Sequence, residues 1–434
     1  MNIPHRVHMV GIGGIGMSAL AQLLQSEGHA VTGSDSGLSE PVHQMLTQRG
    51  IAVETQHTPK NVPKDKSALV IYSDAVHTGN PERNEALKQG IPQMSYFEAL
   101  GEVTKDKKTI AVSGTHGKTT TTAMLTKILK DTGADPTAII GSIVSEFAGN
   151  YIEGQGAFVV EACEYKDHLL KLSPEILVIT NIEWDHSDHF PSLQAVQSMF
   201  KKAVENVPLH GVIVTDVQSP TITPILTSAR AKIIDYTKED VPELLLLGDF
   251  NSMNARAAKA AAKASEILED SEVDNSLASF KGVWRRFELK GKTAEGFAVY
   301  DDYAHHPTAV QKTLTAVREK FQGARILVAF HPHLYSRTRD FMDAFAEALA
   351  LADEVVLAPI YPAREEPIDG VTSEVLAKKI VALGTSATAV SSLNDVTASL
   401  EAFSKDYKLT SNNCIFITMG AGDIYRVADA LTTS

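Results

Sequence analysis

Short β-branched runs alternate with longer amphipathic stretches along most of the chain. Residues 7–10 precede 17–24, 109–112 precede 119–129, and 326–330 precede 341–351. Alternation of this kind predicts βαβ units and parallel, doubly wound sheets. The alanine-rich stretch 255–264 keeps Lys259 and Lys263 four apart, and alanine is the strongest helix former, so it reads as a helix. A polar, charged stretch at 102–108 separates the first two alternations and places a boundary near residue 106. A second change falls at 270–279, polar and acidic, ahead of the apolar and basic segment 280–289. The expected fold class is α/β with three domains, over residues 1–105, 106–278 and 279–434. No internal repeat of fixed period is visible.

Length and composition agree with that division. At 434 residues, 44 % hydrophobic and 21 % charged, the chain exceeds one ordinary core. A formal charge of -13 repels phosphate backbones and anionic lipid, so nucleic acid is not an expected partner. Cys163 and Cys414 are the two cysteines, far apart and without metal-ligand spacing, which fits a reducing compartment and no disulfide framework. Cys163 reads as a small packed residue and not a nucleophile. No apolar run approaches the roughly 20 residues of a membrane span, and nothing marks the chain for export, so a cytoplasmic protein without membrane insertion is expected.

Two glycine loops change the picture from fold to chemistry. Gly11-Ile12-Gly13-Gly14-Ile15-Gly16 stands between a predicted strand and helix, with Asp35 nineteen residues on. This is the dinucleotide fingerprint, in which backbone amides and a helix N-terminus meet a pyrophosphate. By itself it leaves an NAD-dependent oxidoreductase open. The second loop, Ser113-Gly114-Thr115-His116-Gly117-Lys118-Thr119, is a variant phosphate loop, with Val112 where the strict pattern has glycine. Its amides suit phosphate oxygens, Lys118 the β and γ phosphates, and the Thr119 hydroxyl Mg²⁺. ATP is therefore expected here, and a hydride-transfer enzyme would have no use for it. An ATP-driven switch remains a further alternative.

Acidic groups follow. Residues 157–161 read as a buried strand ending in a carboxylate, so Glu161 or Glu164 is placed to hold magnesium. Residues 178–189 bring three acids and two histidines after another apolar strand, an arrangement suited to a second metal or a phosphate.

With these motifs in hand the chain resembles the Mur ligases, over essentially its whole length. The match includes residues 11–18, 33–35, 114–122, Glu161-Ala162-Cys163-Glu164-Tyr165, 181–188, Arg285-Arg286-Phe287-Glu288, Asp301-Asp302-Tyr303-Ala304-His305-His306-Pro307 and Met419-Gly420-Ala421-Gly422-Asp423. Residues 11–18 and His333-Leu334-Tyr335-Ser336-Arg337-Thr338 look like the alanine-adding members, and the tripeptide-recycling members differ at both places. The resemblance implies an N-terminal Rossmann-like UDP-binding domain, a central phosphate-loop ATPase-like domain and a C-terminal Rossmann-like domain. It also implies an ADP-forming ligase using ATP and Mg²⁺ to join L-alanine to UDP-N-acetylmuramate through an acyl phosphate in peptidoglycan precursor synthesis. A monomer or weak homodimer is expected.

Roles carried over residue by residue are also implied. Gly11, Gly13, Gly14, Ile15, Gly16, Asp35 and Ser73 would hold the UDP-sugar, so the first loop would bind UDP and not NAD. Gly114, Thr115, His116, Gly117, Lys118, Thr119 and Thr120 would hold the phosphates of ATP. Asn251 and Asn254 would contact adenine, and Arg286 and Asp302 would reach ATP from the third domain. Tyr303, His305, His333 and Arg337 would surround the amino acid, Arg337 meeting its carboxylate. Thr119, Glu161 and His186 would hold Mg²⁺. Lys118 and Arg286 would balance the transferring phosphoryl group, and His305 or His333 would assist the amine. Phe250 and Leu334 depart from the histidine and arginine frequent in relatives, and Ala309 stands where the alanine-adding members usually have glutamate and is better matched by the tripeptide-recycling ligase, which stays the alternative within the family. Lys201 loosely matches a lysine that some relatives carbamylate.

Overall fold

The computed structural model describes residues 3–363, 365–410 and 413–432. The chain forms two compact units. The first holds the chain up to Glu183 with Gln194–Glu243 and Met253–Lys281, and the second holds Trp184–Leu193, Leu244–Ser252 and the chain from Gly282 onward.

The first unit contains two sheets. Strands β1 (Arg6–Val10), β2 (Ala30–Ser34), β3 (Ala52–Glu54), β4 (Leu69–Tyr72) and β5 (Gln93–Ser95) are ordered 3-2-1-4-5, all pairs parallel. The order reverses at β1, so the first glycine loop leaves the sheet at its switch point, where such sheets take ligands. The second sheet comprises β6 (Thr109–Ser113), β7 (Thr137–Val144), β8 (Gly149–Ile152), β9 (Phe158–Glu161), β10 (Ile176–Ile179), β11 (Val212–Thr215) and β12 (Lys232–Asp235), ordered 12-11-10-6-9-7-8. Only the β7–β8 hairpin is antiparallel. Strand β6 lies between β10 and β9 and every one of its residues is buried, which explains its apolar centre, Ile110-Ala111-Val112. Asn150 on β8, fully buried, joins the two sheets. Its Nδ2 donates to the Ile15 carbonyl at 2.7 Å and its Oδ1 accepts from Gln22 at 3.0 Å, both on the helix Ile15–Ser26 that opens at the first glycine loop.

The second unit has one sheet of β13 (Glu288–Lys292), β14 (Ala298–Asp302), β15 (Arg325–Phe330), β16 (Glu354–Leu357), β17 (Ser386–Ala389) and β18 (Cys414–Met419), ordered 13-14-18-15-16-17. Alternate residues of β15 feed two cores. Ile326, Val328 and Phe330 pack with Val317, Phe345 and Leu349, while Leu327 and Ala329 pack with Val396, Leu400 and Val427. Truncating Phe330 to alanine would cost about 3–5 kcal/mol on that scale of packing. Asp302, Met419 and Phe330 are level in register, so the loops after β14, β18 and β15 leave the sheet at one edge.

Three α/β sheets thus stand where the alternation of strands and helices called for them. The polar stretch 270–279, read as a change between domains, is mostly the helix Asp270–Ala278, and the first unit ends just after it at Lys281. Val273 and Leu277, four apart, bury one face, and Asp270 and Glu272 suit its first turn. The expected single helix over 341–351 is Met342–Leu349, preceded by a separate helix, Tyr335–Asp340.

Candidate active site

The first loop is closed by its own neighbours. The Gly11 and Ile12 amides donate to the Ser34 carbonyl, and Asp35 accepts from Gly13 at 2.9 Å and from Gly37 at 2.8 Å. A Cβ on Gly13 would fall 2.8 Å from the Asp35 carboxylate, so a larger residue there would push that carboxylate aside. Ser73 lies against Gly11. Gly11, Gly13, Asp35 and Ser73 are therefore together, with Gly14 heading a helix whose first amides receive no side-chain cap. Tyr96 was not foreseen. Its phenol presses on Gly16, and burial first, then the charges of Glu161 and Cys163, push its pKa up.

The second loop follows β6 and is clamped by the segment after β10. Asn181 grips both backbone groups of His116, its Oδ1 accepting the amide at 2.9 Å and its Nδ2 donating to the carbonyl at 3.0 Å. Thr180 Oγ1 donates to the same carbonyl at 2.6 Å. Thr115 Oγ1 accepts from the Glu183 amide at 2.8 Å, and His116 Nε2 lies 3.3 Å from the Glu183 carboxylate. Gly117 (φ 81) caps the helix Lys118–Asp131, and a Cβ there would strike the Asn254 side chain at 2.1 Å. Lys118 folds back so that Nζ donates to the Gly114 and Thr115 carbonyls and to Glu164 at 3.0 Å. Burial would lower its pKa, but Glu164, Cys163 and Glu161 raise it, so the ammonium stays charged.

Thr119 and Thr120 are buried at the head of this helix. Glu161 stands opposite Val112 in register, at the carboxyl end of the adjacent strand, with its carboxylate on the Gly141 amide at 3.1 Å. The two acids left open by the sequence thus part company: Glu164 pairs with Lys118, and Glu161 is seated on a backbone amide. Lys201 is exposed on the helix Leu193–Asn206.

In the second unit, Tyr303, His305, His333 and Arg337 lie together. Arg337, 3 % exposed, donates from Nε at 3.1 Å and Nη2 at 2.7 Å to Asp185 Oδ1, and its Nη1 is 3.2 Å from His333 Nδ1. An arginine only donates, so His333 Nδ1 accepts and its hydrogen is on Nε2. His305 Nδ1 lies 2.9 Å from the Tyr303 carbonyl, which only accepts, so His305 carries its hydrogen on Nδ1 and a lone pair on Nε2. Burial and then the Arg337 charge hold the His305 pKa well below 6.5, keeping it neutral. Asp185 is held well below the carboxylate range: burial would raise it, and Arg337 outweighs that.

Asp302 accepts the Ala304 amide at 2.6 Å, and burial, opposed by Arg286, pushes its pKa up to about 6. Arg286 lies over the Tyr303 ring at 5.0 Å. The neighbouring Arg285 is structural: it pairs with Asp301 at 2.8 Å and donates to the Gly420 and Gly422 carbonyls. Leu334, φ 70, starts the helix carrying Arg337. His186 belongs to this unit and has φ 52. Asn251 and Asn254 share one helix, Asp249–Ser265, but Asn251 belongs to the second unit, where Nδ2 donates to the Leu247 carbonyl at 2.7 Å, and Asn254 to the first. Sequence reasoning missed Tyr361, whose ring stacks on His333 at 5.5 Å and 12°.

The Mur ligase family catalytic-domain model matches residues 6–108, the Mur ligase middle-domain model 112–244, and the Mur ligase glutamate-ligase-domain model 285–422. A UDP-N-acetylmuramate--L-alanine ligase of Salinibacter ruber is 38 % identical over 98 % of this chain and 94 % of its own. One from Lachnospira eligens is 36 % identical over 99 % and 98 %. Among solved structures, a UDP-N-acetylmuramate-alanine ligase of Thermotoga maritima superposes with TM-score 0.81 at 29 % identity, covering 99 % of this chain and 98 % of that one. A murein peptide ligase of Psychrobacter arcticus gives 0.75 at 25 % identity, again over 99 % and 98 %.

Proposed function

The chain belongs to the Mur ligase family, and we propose that it is the ATP-dependent, ADP-forming ligase that adds L-alanine to UDP-N-acetylmuramate in peptidoglycan precursor synthesis. The observation that carries this is the charged Lys118 at the head of a helix behind the central strand β6, in a chain with full-length similarity to alanine-adding ligases.

A carboxylate and an ammonium ion do not condense in water, so the carboxyl oxygen must become a leaving group. The lactyl carboxylate attacks the γ-phosphoryl of ATP, giving acyl phosphate and ADP. Lys118 and Arg286 balance the charge spread over the equatorial oxygens. His305 takes a proton from the ammonium at its Nε2 lone pair, and the freed amine attacks the acyl carbon. Phosphate leaves with one oxygen of the former carboxylate. His333, with its hydrogen on Nε2, serves as a donor in the same cluster. Arg337 receives the carboxylate of the amino acid.

The Thr119 hydroxyl and the Glu161 carboxylate in the first unit are oxygen donors of the kind Mg²⁺ takes, and His186 in the second would serve a further ion. Bound Mg²⁺ would neutralise charge on the β- and γ-phosphate oxygens. Residues 1–105 would carry the UDP-sugar through Gly11 to Gly16, Asp35 and Ser73, residues 106–278 the ATP, and 279–434 the amino acid. No helix among the described residues is long and apolar enough to cross a membrane.

The test is phosphate release from ATP with Mg²⁺ and UDP-N-acetylmuramate, comparing L-alanine, glycine, L-serine and the wall tripeptide. Release that needs the UDP-sugar and is fastest with L-alanine is expected. Preference for the tripeptide would move the chain to the recycling branch, and release without UDP-sugar would make it an ATP-driven switch.

A further inference from the structure

The cluster around Arg337 contains one group to which nothing above gives a part in the reaction. Asp185 directs a single oxygen, Oδ1, at three donors: Arg337 Nε, Arg337 Nη2 and the His186 amide at 2.6 Å. The Nε–Nη2 side of a guanidinium is one of its two paired edges, and Asp185 fills it. His333 Nδ1 draws on Nη1. Asp185 takes the Nη2 hydrogen on the Nε side, so Nη2 keeps the one that points along the Nη1–Nη2 edge, and Nη1 keeps one of its two beside His333; that side of the guanidinium is left to receive a carboxylate.

We infer that Asp185 is the positioning residue of the amino-acid site, fixing the Arg337 guanidinium so that its Nη1–Nη2 edge receives the carboxylate of the incoming amino acid; this rests on the amino-acid role of Arg337 proposed above. Arginine in a buried place, held on one edge by an acid, loses little rotamer freedom when the other edge is occupied. The anchor is itself rigid. Asp185 is 6 % exposed and His186 beside it is in the left-handed region. The Trp184 indole donates to the Phe190 carbonyl at 2.9 Å and its ring packs on Phe341 at 5.3 Å, at the end of the helix that carries Arg337. Asp185 lies 152 residues before Arg337, yet Trp184–Leu193 belongs to the same compact unit as that helix.

The experiment compares wild type with Asp185→Asn, Asp185→Glu, Arg337→Lys and the double variant Asp185→Asn/Arg337→Lys in steady-state ligation with ATP, Mg²⁺ and UDP-N-acetylmuramate. Asp185→Asn keeps the volume and removes the charge. Its KM for L-alanine should rise about tenfold or more, as for a bidentate ionic contact left unaligned. The KM for ATP, the KM for UDP-sugar and the half-saturating Mg²⁺ should stay within about twofold. Asp185→Glu, which keeps the charge, should recover part of the L-alanine KM. Adding Asp185→Asn to Arg337→Lys should raise it by less than about twofold more, since both act on one contact. A fall in kcat with the L-alanine KM unchanged would mean that Asp185 only supports the fold, and a parallel shift in the Mg²⁺ requirement would mean that it acts through metal; either result overturns the inference. If wild type itself does not use L-alanine, the functional reading fails instead, and the two failures are told apart by that control.

Discussion

The phosphate loop of the first unit and the Arg337 cluster of the second solve one problem by different means. Each must keep a cation in a buried place without substrate. Lys118 is neutralised by Glu164, but the backbone around it is held by uncharged groups: the Asn181 amide, the Thr180 hydroxyl and the Thr115 hydroxyl. Arg337 is neutralised by Asp185, His333 accepts one of its hydrogens, and His305 is held neutral by burial and the nearby charge. The difference teaches where each site is vulnerable. Amides and hydroxyls do not titrate, so the clamp they form on the loop backbone should be indifferent to mild acid, whereas a histidine held neutral in the fold costs stability once solution can protonate its unfolded form.

The largest effect should come from removing the loop's cation. Lys118→Ala is expected to lower ADP formation by on the order of 10²–10³-fold while calorimetry still finds UDP-sugar binding. Unchanged turnover would break the assignment of this loop to ATP.

Acid should separate the two regions next. Burial pushes the His331 pKa down to about 4, against an ordinary 6.5. Above pH 6.5 both folded and unfolded forms are neutral and the residue has no pH effect. As pH falls from 6.5 toward 4, the unfolded chain takes up a proton that the folded chain does not, and stability is lost. Between pH 7 and 5 this amounts to about 2 kcal/mol, which His331→Asn should remove. The chain's two tryptophans, Trp184 and Trp284, both lie in the second unit, so denaturant titrations followed by their fluorescence report on that unit alone. Equal acid sensitivity in wild type and variant would contradict the shifted histidine.

Asn181→Ala removes the clamp on His116 without touching charge. The ATP KM should rise about tenfold with the L-alanine KM unchanged, in line with the loss of two partly buried hydrogen bonds that water replaces in part. A rise in the L-alanine KM alone would show that the loop and the cluster are not the separate sites described. The smallest effect is expected at Lys201. An exposed lysine should be replaceable by alanine with less than about twofold change in turnover. A large fall that depends on dissolved carbon dioxide would instead give it a role as a carbamylated lysine.

These contrasts also mark what was legible in the sequence. Both glycine loops, the strands before them and the helices after them follow from local pattern, because phosphate-binding turns need glycine, amides and a helix N-terminus within a few residues. The place of Glu161 at a strand end was legible because a buried apolar run leads up to it. The pairing of Lys118 with Glu164 spans 46 residues and was half visible, as one of two candidate acids. Asp185 on Arg337 was not visible. Its partner comes from the other end of the chain, and the acid sits in a run of acids and histidines that reads equally well as a metal site. Tyr361 was missed for the same reason, since a lone aromatic ring carries no periodic signal. The helix Asp270–Ala278 was overlooked because only Val273 and Leu277 of its three buried residues are apolar, too few to outweigh a polar composition.

The central claim is that the carboxylate is activated by phosphoryl transfer before the amine attacks. Ligation with UDP-N-acetylmuramate labelled with ¹⁸O in the lactyl carboxylate tests it directly. One labelled oxygen should appear in each inorganic phosphate released with L-alanine. Unlabelled phosphate accompanying formation of the amide would contradict the acyl phosphate and the account built on it.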